Sequence, residues 1–167
     1  MRTAVVVGNP RAGSRTLEAA LRVARGLSGG DPDLVLDLAE IDAELLGWGT
    51  PRVKELVAGL PSFDLVVVAS PTYKATYTGL LKLFLDKVPG GTGLQDVVVV
   101  PLMLGGAPVH ALAPELTLRP VLSELGATTL AGLFLLEQTY ADGEDVDRYV
   151  ARWAATVRAL ASARPPR

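Results

Sequence analysis

Three stretches of this chain are apolar almost without interruption: residues 4–7 (Ala-Val-Val-Val), 65–68 (Leu-Val-Val-Val) and 97–104. Strict alternation would mark strands with one wet face, whereas continuous runs mark strands covered on both faces, as in a parallel sheet. A short run, Leu34-Val35-Leu36, and a longer one over residues 128–136 complete five strand candidates. Between them the apolar period lengthens to that of a helix. Leu17, Ala20, Leu21, Ala24 and Leu27 share one helical face over about residues 14–27, and Gly29-Gly30 ends it. Pro51 suits the first position of a helix reaching about Leu60. Residues 79–88 carry Leu80, Leu81, Phe84, Leu85 and Val88 on a broad face with Leu83 beside it, while Lys82 and Asp86 form an i,i+4 pair on the outside. That breadth makes the face either core packing or a dimer surface. Residues 142–163 form a last amphipathic helix, with acids at its start and arginines further along, as the helix dipole favours.

Two segments resist this pattern. Pro114 and Pro120 both fall between His110 and Leu125; the first suits a helix start, but the second must kink or loosen the helix. Trp48 lies between two glycines and is either a core filler under a loop or a lid over a ligand. Strands alternating with helices predict right-handed βαβ units in a doubly wound five-stranded parallel sheet, order 2-1-3-4-5, with helices on both faces. In such a sheet ligands sit beyond the carboxyl ends of the strands where the order reverses. Residues 8–16 and 70–77 are therefore expected to face one ligand, with residues 105–110 as a third wall.

Composition narrows the classes. The chain has 167 residues, 49% of them hydrophobic, which suits a single domain over residues 1–163 with a disordered tail at 164–167. A net charge of −2 provides no bulk attraction for nucleic acid or acidic lipid. Without cysteine, disulfides, iron–sulfur ligation and thiol catalysis are excluded, and with one histidine the chain lacks the ligands of a usual structural zinc site. No apolar run approaches the ~20 residues of a membrane span. The first residues enter a strand directly, without the pattern of a secretion signal, so a cytoplasmic protein is expected.

Candidate chemistry begins at Gly8-Asn9-Pro10-Arg11-Ala12-Gly13-Ser14-Arg15-Thr16. A strand, a small-residue loop and a helix start in that order aim backbone N–H groups and the positive helix end at one point. Gly8 and Gly13 free the backbone to approach a ligand. Ser14 and Thr16 add hydroxyls, and Arg11 and Arg15 add forked positive charge, all suited to a terminal phosphate. The plainer reading makes Ser14 an N-cap with both arginines solvated. The nucleotide P-loop is excluded because Ser14-Arg15 stands where Lys-Ser/Thr is required. The dinucleotide pattern is excluded because Pro10 stands where its second Gly is required. The second loop, Ser70-Pro71-Thr72-Tyr73-Lys74-Ala75, offers amides for the edge of a flat heterocycle, an aromatic face, and an ammonium to balance a reduced ring. Its plainer reading is a Ser-Pro turn with Tyr73 half buried and Lys74 solvated.

Together these segments resemble the NAD(P)H-dependent FMN reductases of flavodoxin-like fold, especially those supplying reduced flavin to two-component alkanesulfonate monooxygenases. The likeness runs over roughly residues 3–136. It rests on Gly8-Asn9-Pro10-Arg11 with Ser14-Arg15-Thr16, on residues 70–75 continuing through Gly79-Leu80-Leu81-Lys82 to Leu85-Asp86, and on Gly105-Gly106, His110 and residues 118–123. The resemblance implies that Asn9, Arg11, Ser14, Arg15 and Thr16 hold the FMN phosphate. It implies that Pro71, Thr72, Tyr73 and Lys74 line the ring and that Gly105 and Gly106 approach its other edge. It further implies NADPH or NADH as hydride donor, a homodimer or homotetramer, and a flavin-dependent monooxygenase as partner. The cofactor carries the chemistry, so no protein acid or base is assigned, and His110 is given a helix-start or packing role. This chain departs from the family at Asn9 (commonly Ser), Leu104 (commonly Thr) and Leu116, where the alkanesulfonate-type enzymes insert a Tyr. Two other readings stand beside it: an FMN-bound reductase of quinones, azo dyes or metal oxyanions, and an electron carrier without hydride chemistry, which the modest charge disfavours.

Overall fold

The computed structural model describes residues 1–164. Six parallel strands are formed: β1 (Thr3–Val7), β2 (Leu34–Asp37), β3 (Leu65–Pro71), β4 (Val98–Gly105), β5 (Thr128–Thr129) and β6 (Leu133–Leu136). Five helices join them: α1 (Arg15–Ser28), α2 (Pro51–Gly59), α3 (Gly79–Leu85), α4 (Arg119–Glu124) and α5 (Glu144–Ser162). The order is β2-β1-β3-β4-β5, with β6 also paired to β4. This is the expected doubly wound sheet, its fifth position filled by two short strands rather than one.

Side chains alternate across the pleat, so both sheet faces are apolar. Ala4, Val6, Val66, Val68 and Val99 pack with α2, α3 and α4, while Val5, Val7, Val67, Val98 and Val100 pack with α1 and α5. Uninterrupted apolar strands thus have a direct cause: each neighbouring residue serves a different core.

The helix ends follow their sequence signals. Ser14 Oγ accepts the Leu17 N–H at 3.3 Å, and Gly29 closes α1 in the left-handed region at φ 83°. Thr78 caps α3 by accepting the Leu81 N–H, and its hydroxyl donates to the Gly8 carbonyl at 2.5 Å. Ser70 Oγ accepts the Thr78 N–H at 3.0 Å, so one buried cluster ties the outlets of β1 and β3 to the start of α3. Gly8 serves this junction. A Cβ there would lie 2.3 Å from Leu81 Cβ, and α3 could not approach.

Several expectations are revised. The fifth run breaks at residues 130–132, where Gly132 N–H donates to Glu115 Oε1 (2.5 Å) and Tyr149 Oη donates to the Ala131 carbonyl (2.6 Å). Both bonds take backbone groups away from the sheet. The two prolines do not abolish the helix between them and β5; residues Pro114–Leu118 widen into a π-turn, with Arg119 N–H reaching back to the Pro114 carbonyl, before α4 resumes. On α3, the sheet covers Leu81, Phe84 and Leu85 and leaves Leu83 exposed, so core packing accounts for most of the face. Trp48 is 91% exposed on the rim of a depression between α2 and the end of α3, so it is no core filler, and it does not lie over residues 9–16. The tail anticipated at 164–167 is anchored at its first residue. The Arg164 guanidinium donates to the carbonyls of Pro61 and Phe63 and meets Asp64. The rest of that tail, 165–167, lies outside the described residues.

Candidate functional site

The loop between β1 and α1 is organised by its own polar groups. Asn9 Oδ1 accepts the Arg11 N–H at 2.9 Å, and Asn9 Nδ2 donates to Thr16 Oγ1 at 3.1 Å. Asp37, buried at the end of β2, accepts the Gly13 N–H at 3.0 Å and the Ala39 N–H at 3.3 Å. Gly13 takes φ 62°, which a side chain would strain. With Arg11, Gly13 and Leu17 already bonded, the N–H groups of Ala12, Ser14, Arg15 and Thr16 meet no acceptor among the described residues. Uncompensated donors at the positive end of a 14-residue helix form an anion-receiving nest.

This loop lines one side of a cavity of about 480 Å³, and Pro71, Tyr73, Leu104 and Glu137 line the other. The cavity sits at the carboxyl ends of β1, β3, β4 and β6, where the strand order reverses. Its charged side chains are Arg11, Arg15 and Glu137, a net positive lining, and Arg15 reaches Glu137 at 3.7 Å. Amides, guanidinium groups and a helix dipole converging on one concave wall fit a phosphate monoester with an attached flat group.

The loop after β3 is a tight reversal. Tyr73 and Thr76 exchange backbone hydrogen bonds at 2.9 and 3.2 Å, leaving Lys74 (φ 52°) and Ala75 (φ 66°) at its tip in the left-handed region. Two adjacent non-glycine residues there cost on the order of 1 kcal/mol each. The strained turn presents Tyr73, 53% exposed, to the cavity rim.

Of the residues singled out from the sequence, Asn9, Arg11, Ser14, Arg15, Thr16, Pro71 and Tyr73 come together around this cavity. Thr72, Lys74, Gly105 and Gly106 stand outside its lining. Thr72 donates its N–H to the Leu104 carbonyl at 2.7 Å, tying the end of β3 to β4. Gly105 is required by packing, since a Cβ would lie 2.9 Å from the Phe134 ring and 3.1 Å from Thr72 Oγ1. Gly105 and Gly106 accept from the Glu137 N–H (3.0 Å) and Gln138 Nε2 (3.1 Å), which fixes the outlet of β6. His110 ends a short turn, Pro108–His110, away from the cavity. Sequence reasoning missed Glu137 and met Leu104 only as a departure from the family's Thr. Each ends an apolar run at a strand outlet, the same signal that selected the other two loops.

A doubly wound sheet with an anion-receiving loop after its first strand is the flavodoxin-like arrangement. The family model for NADPH-dependent FMN reductases matches residues 1–141. The chain is 34% identical over 153 residues to the FMN reductase (NADPH) of Escherichia coli K12, covering 89% of this chain and 77% of that one. It is likewise 34% identical over 141 residues to the NADH-dependent FMN reductase SfnF of Pseudomonas fluorescens Pf0-1, covering 77% and 73%. Among solved structures, an apo NADH:FMN oxidoreductase, EMOB, superposes with a TM-score of 0.86 at 29% identity, covering 98% of this chain and 91% of that one. The chain belongs to the NADPH-dependent FMN reductase family. It is an oxidoreductase whose flavin is FMN and whose reductant is NAD(P)H. Among the described residues no helix is long and apolar enough to cross a membrane, and no group of acids and histidine forms a metal site.

Proposed function

We propose that this chain passes a hydride from NADPH or NADH to FMN held in the cavity between residues 9–16 and Pro71–Tyr73, and releases reduced flavin to a flavin-dependent monooxygenase. The observation that supports it most is the set of unbonded amides at residues 12 and 14–16, which share one concave wall with Arg11 and Arg15. In this reading Arg11, Ser14, Arg15 and the backbone amide of Thr16 bind the phosphate, while the side chains of Asn9 and Thr16 hold the loop in shape. Pro71, Leu104 and Tyr73 bound the ring, and the second-loop backbone is braced by Thr72. When bound, the flavin supplies the hydride-accepting nitrogen, so the protein contributes position, charge and exclusion of water rather than proton transfer. Relatives named for NADPH and for NADH both occur, which supports a chain using either nucleotide.

Self-association belongs to the same reading. Val109, Leu112 and Leu116 follow one another at spacings of three and four residues and are all well exposed in the third-loop region. A homodimer or homotetramer covering that stripe is expected by sedimentation. In the same reading the protein works in the cytoplasm, where its nicotinamide nucleotide is supplied. The deciding experiment is an anaerobic absorbance titration with FMN and then NADPH or NADH. Catalytic bleaching that saturates in free FMN, with no other acceptor present, is the expected result. A flavin spectrum that stays oxidised on the time scale of minutes would remove the reductase reading. Bleaching that turns over only after a quinone is added would replace free flavin with a bound group.

A further inference from the structure

Glu137 is the one acidic side chain lining a cavity otherwise built for an anion. Its position is not incidental. The residue follows β6 directly, Leu136 is in register with Gly105, and the Glu137 N–H is bonded to the Gly105 carbonyl. Gln138 anchors the next position through Gly106. The backbone therefore holds the carboxylate opposite the start of α1, where it meets Arg15 at 3.7 Å. Arg15 is also a principal cation available to a phosphate in this nest, since it occupies the first turn of α1 beside the unbonded amides.

We propose that Glu137 competes with the flavin phosphate for Arg15, and thereby sets how fast flavin leaves. The inference deepens the FMN-reductase reading and rests on it. A dianion entering the nest must either draw Arg15 away from Glu137 or share it, and in both cases a negative charge remains nearby. Such a counter-charge lowers affinity for the phosphate without touching the reacting end of the flavin. For a reductase whose flavin is a substrate, weaker holding is an advantage, because binding that is equally strong before and after reaction slows release. Glu137 is thus an affinity-determining residue, not a catalytic one. The opposing groups facing Arg15 are few: Glu137 across the cavity, with Glu18 one turn along α1, where it accepts from Tyr140 Oη at 2.9 Å.

The test is Glu137→Gln, which keeps shape and removes charge. Both side chains of the pair are substantially exposed (61% and 36%), so the effect is bounded by that of a solvent-screened pair. FMN should bind about 2- to 5-fold more tightly to the variant at low salt, read by flavin fluorescence quenching, and dissociate correspondingly more slowly in stopped flow. Riboflavin, which lacks the phosphate, should bind both proteins equally. In an Arg15→Ala background the gain from Glu137→Gln should shrink toward nothing. Unchanged or weaker FMN binding by the variant overturns the proposal, as does an equal gain for riboflavin. A wild-type protein that binds no FMN at all would instead strike the FMN-reductase reading itself, and the two failures are separable.

Discussion

The rim of the sheet where ligand chemistry gathers has two halves built in different ways. At the outlets of β1 and β3, much of the geometry comes from neighbours in sequence, since Ser14 caps its own helix, Asn9 braces Arg11 and Tyr73 bonds Thr76, with Asp37 and Thr78 as the distant ties. At the outlets of β4 and β6, it comes from distant partners. Glu137 reaches Gly105 and Gln138 reaches Gly106 there, and ahead of β6 Glu115 reaches Gly132 and Tyr149 reaches Ala131. The first half is a preformed anion cradle; the second is a wall assembled only when the tertiary fold closes. Contacts that are local in sequence survive perturbation elsewhere, whereas a wall made of long-range bonds is lost with any one of its supports.

The contrast breaks most visibly at its central joint. Gly8→Val puts side-chain atoms where Leu81 stands, so a loss of about 3 kcal/mol or failure to fold is expected in a urea unfolding experiment. Next in size is Glu115→Ala, which leaves the Gly132 N–H without its acceptor and Arg119 without its partner, and should cost about 2 kcal/mol. This site also has a pH signature. Partial burial alone would raise the Glu115 carboxyl, but hydrogen bonds from Arg119 and the Gly132 N–H, with the charge of Arg119, bring it below its ordinary value. A carboxyl lowered on folding stabilises above the unfolded value near 4.5 and loses that contribution as the pH falls through the folded value. Acid unfolding of Glu115→Gln should accordingly be shallower below that point than acid unfolding of the wild type.

Smaller effects sharpen the cradle half. Arg15→Ala should weaken FMN binding by about 10-fold at low salt, with a clear reduction of that factor in high salt and no change in melting temperature. Unaltered FMN affinity would separate the nest from the phosphate. Tyr73→Ala should reduce flavin affinity or the rate of flavin reduction by about 3-fold, with far-UV circular dichroism intact. Wild-type behaviour would leave the strained turn at Lys74 and Ala75 without a role in the site.

Most of the architecture was legible because the core is regular. Continuous apolar runs at residues 4–7, 65–68 and 97–104 admit little but a doubly covered parallel sheet, and Ser14, Gly29 and Pro51 mark helix ends by local chemistry alone. The split of the fifth strand was hidden, because Gly132 and Ala131 are drawn aside by Glu115 and Tyr149, residues 17 and 18 positions away. The π-turn was only half visible: Pro120 announced a disturbed helix, but not whether it would break or widen. At the site, the anion-binding composition of residues 9–16 is legible in the sequence, whereas the need for Gly8 and Gly105 to admit Leu81 and Phe134 is not. Glycines that permit a close approach look alike in sequence whether the visitor is a cofactor or a neighbouring side chain.

Asp64 gives the molecule a definite far side. Its carboxylate accepts the Arg2 backbone N–H at 2.7 Å and meets the Arg164 guanidinium at 3.2 Å, gathering residues 2 and 164 at the amino ends of the strands. The crevice lined by residues 9 and 11–16, Pro71, Tyr73, Leu104 and Glu137 opens at the opposite pole. A fluorophore attached at residue 2 or at residue 164 would stand well clear of the crevice mouth and report on the fold without meeting what the crevice holds.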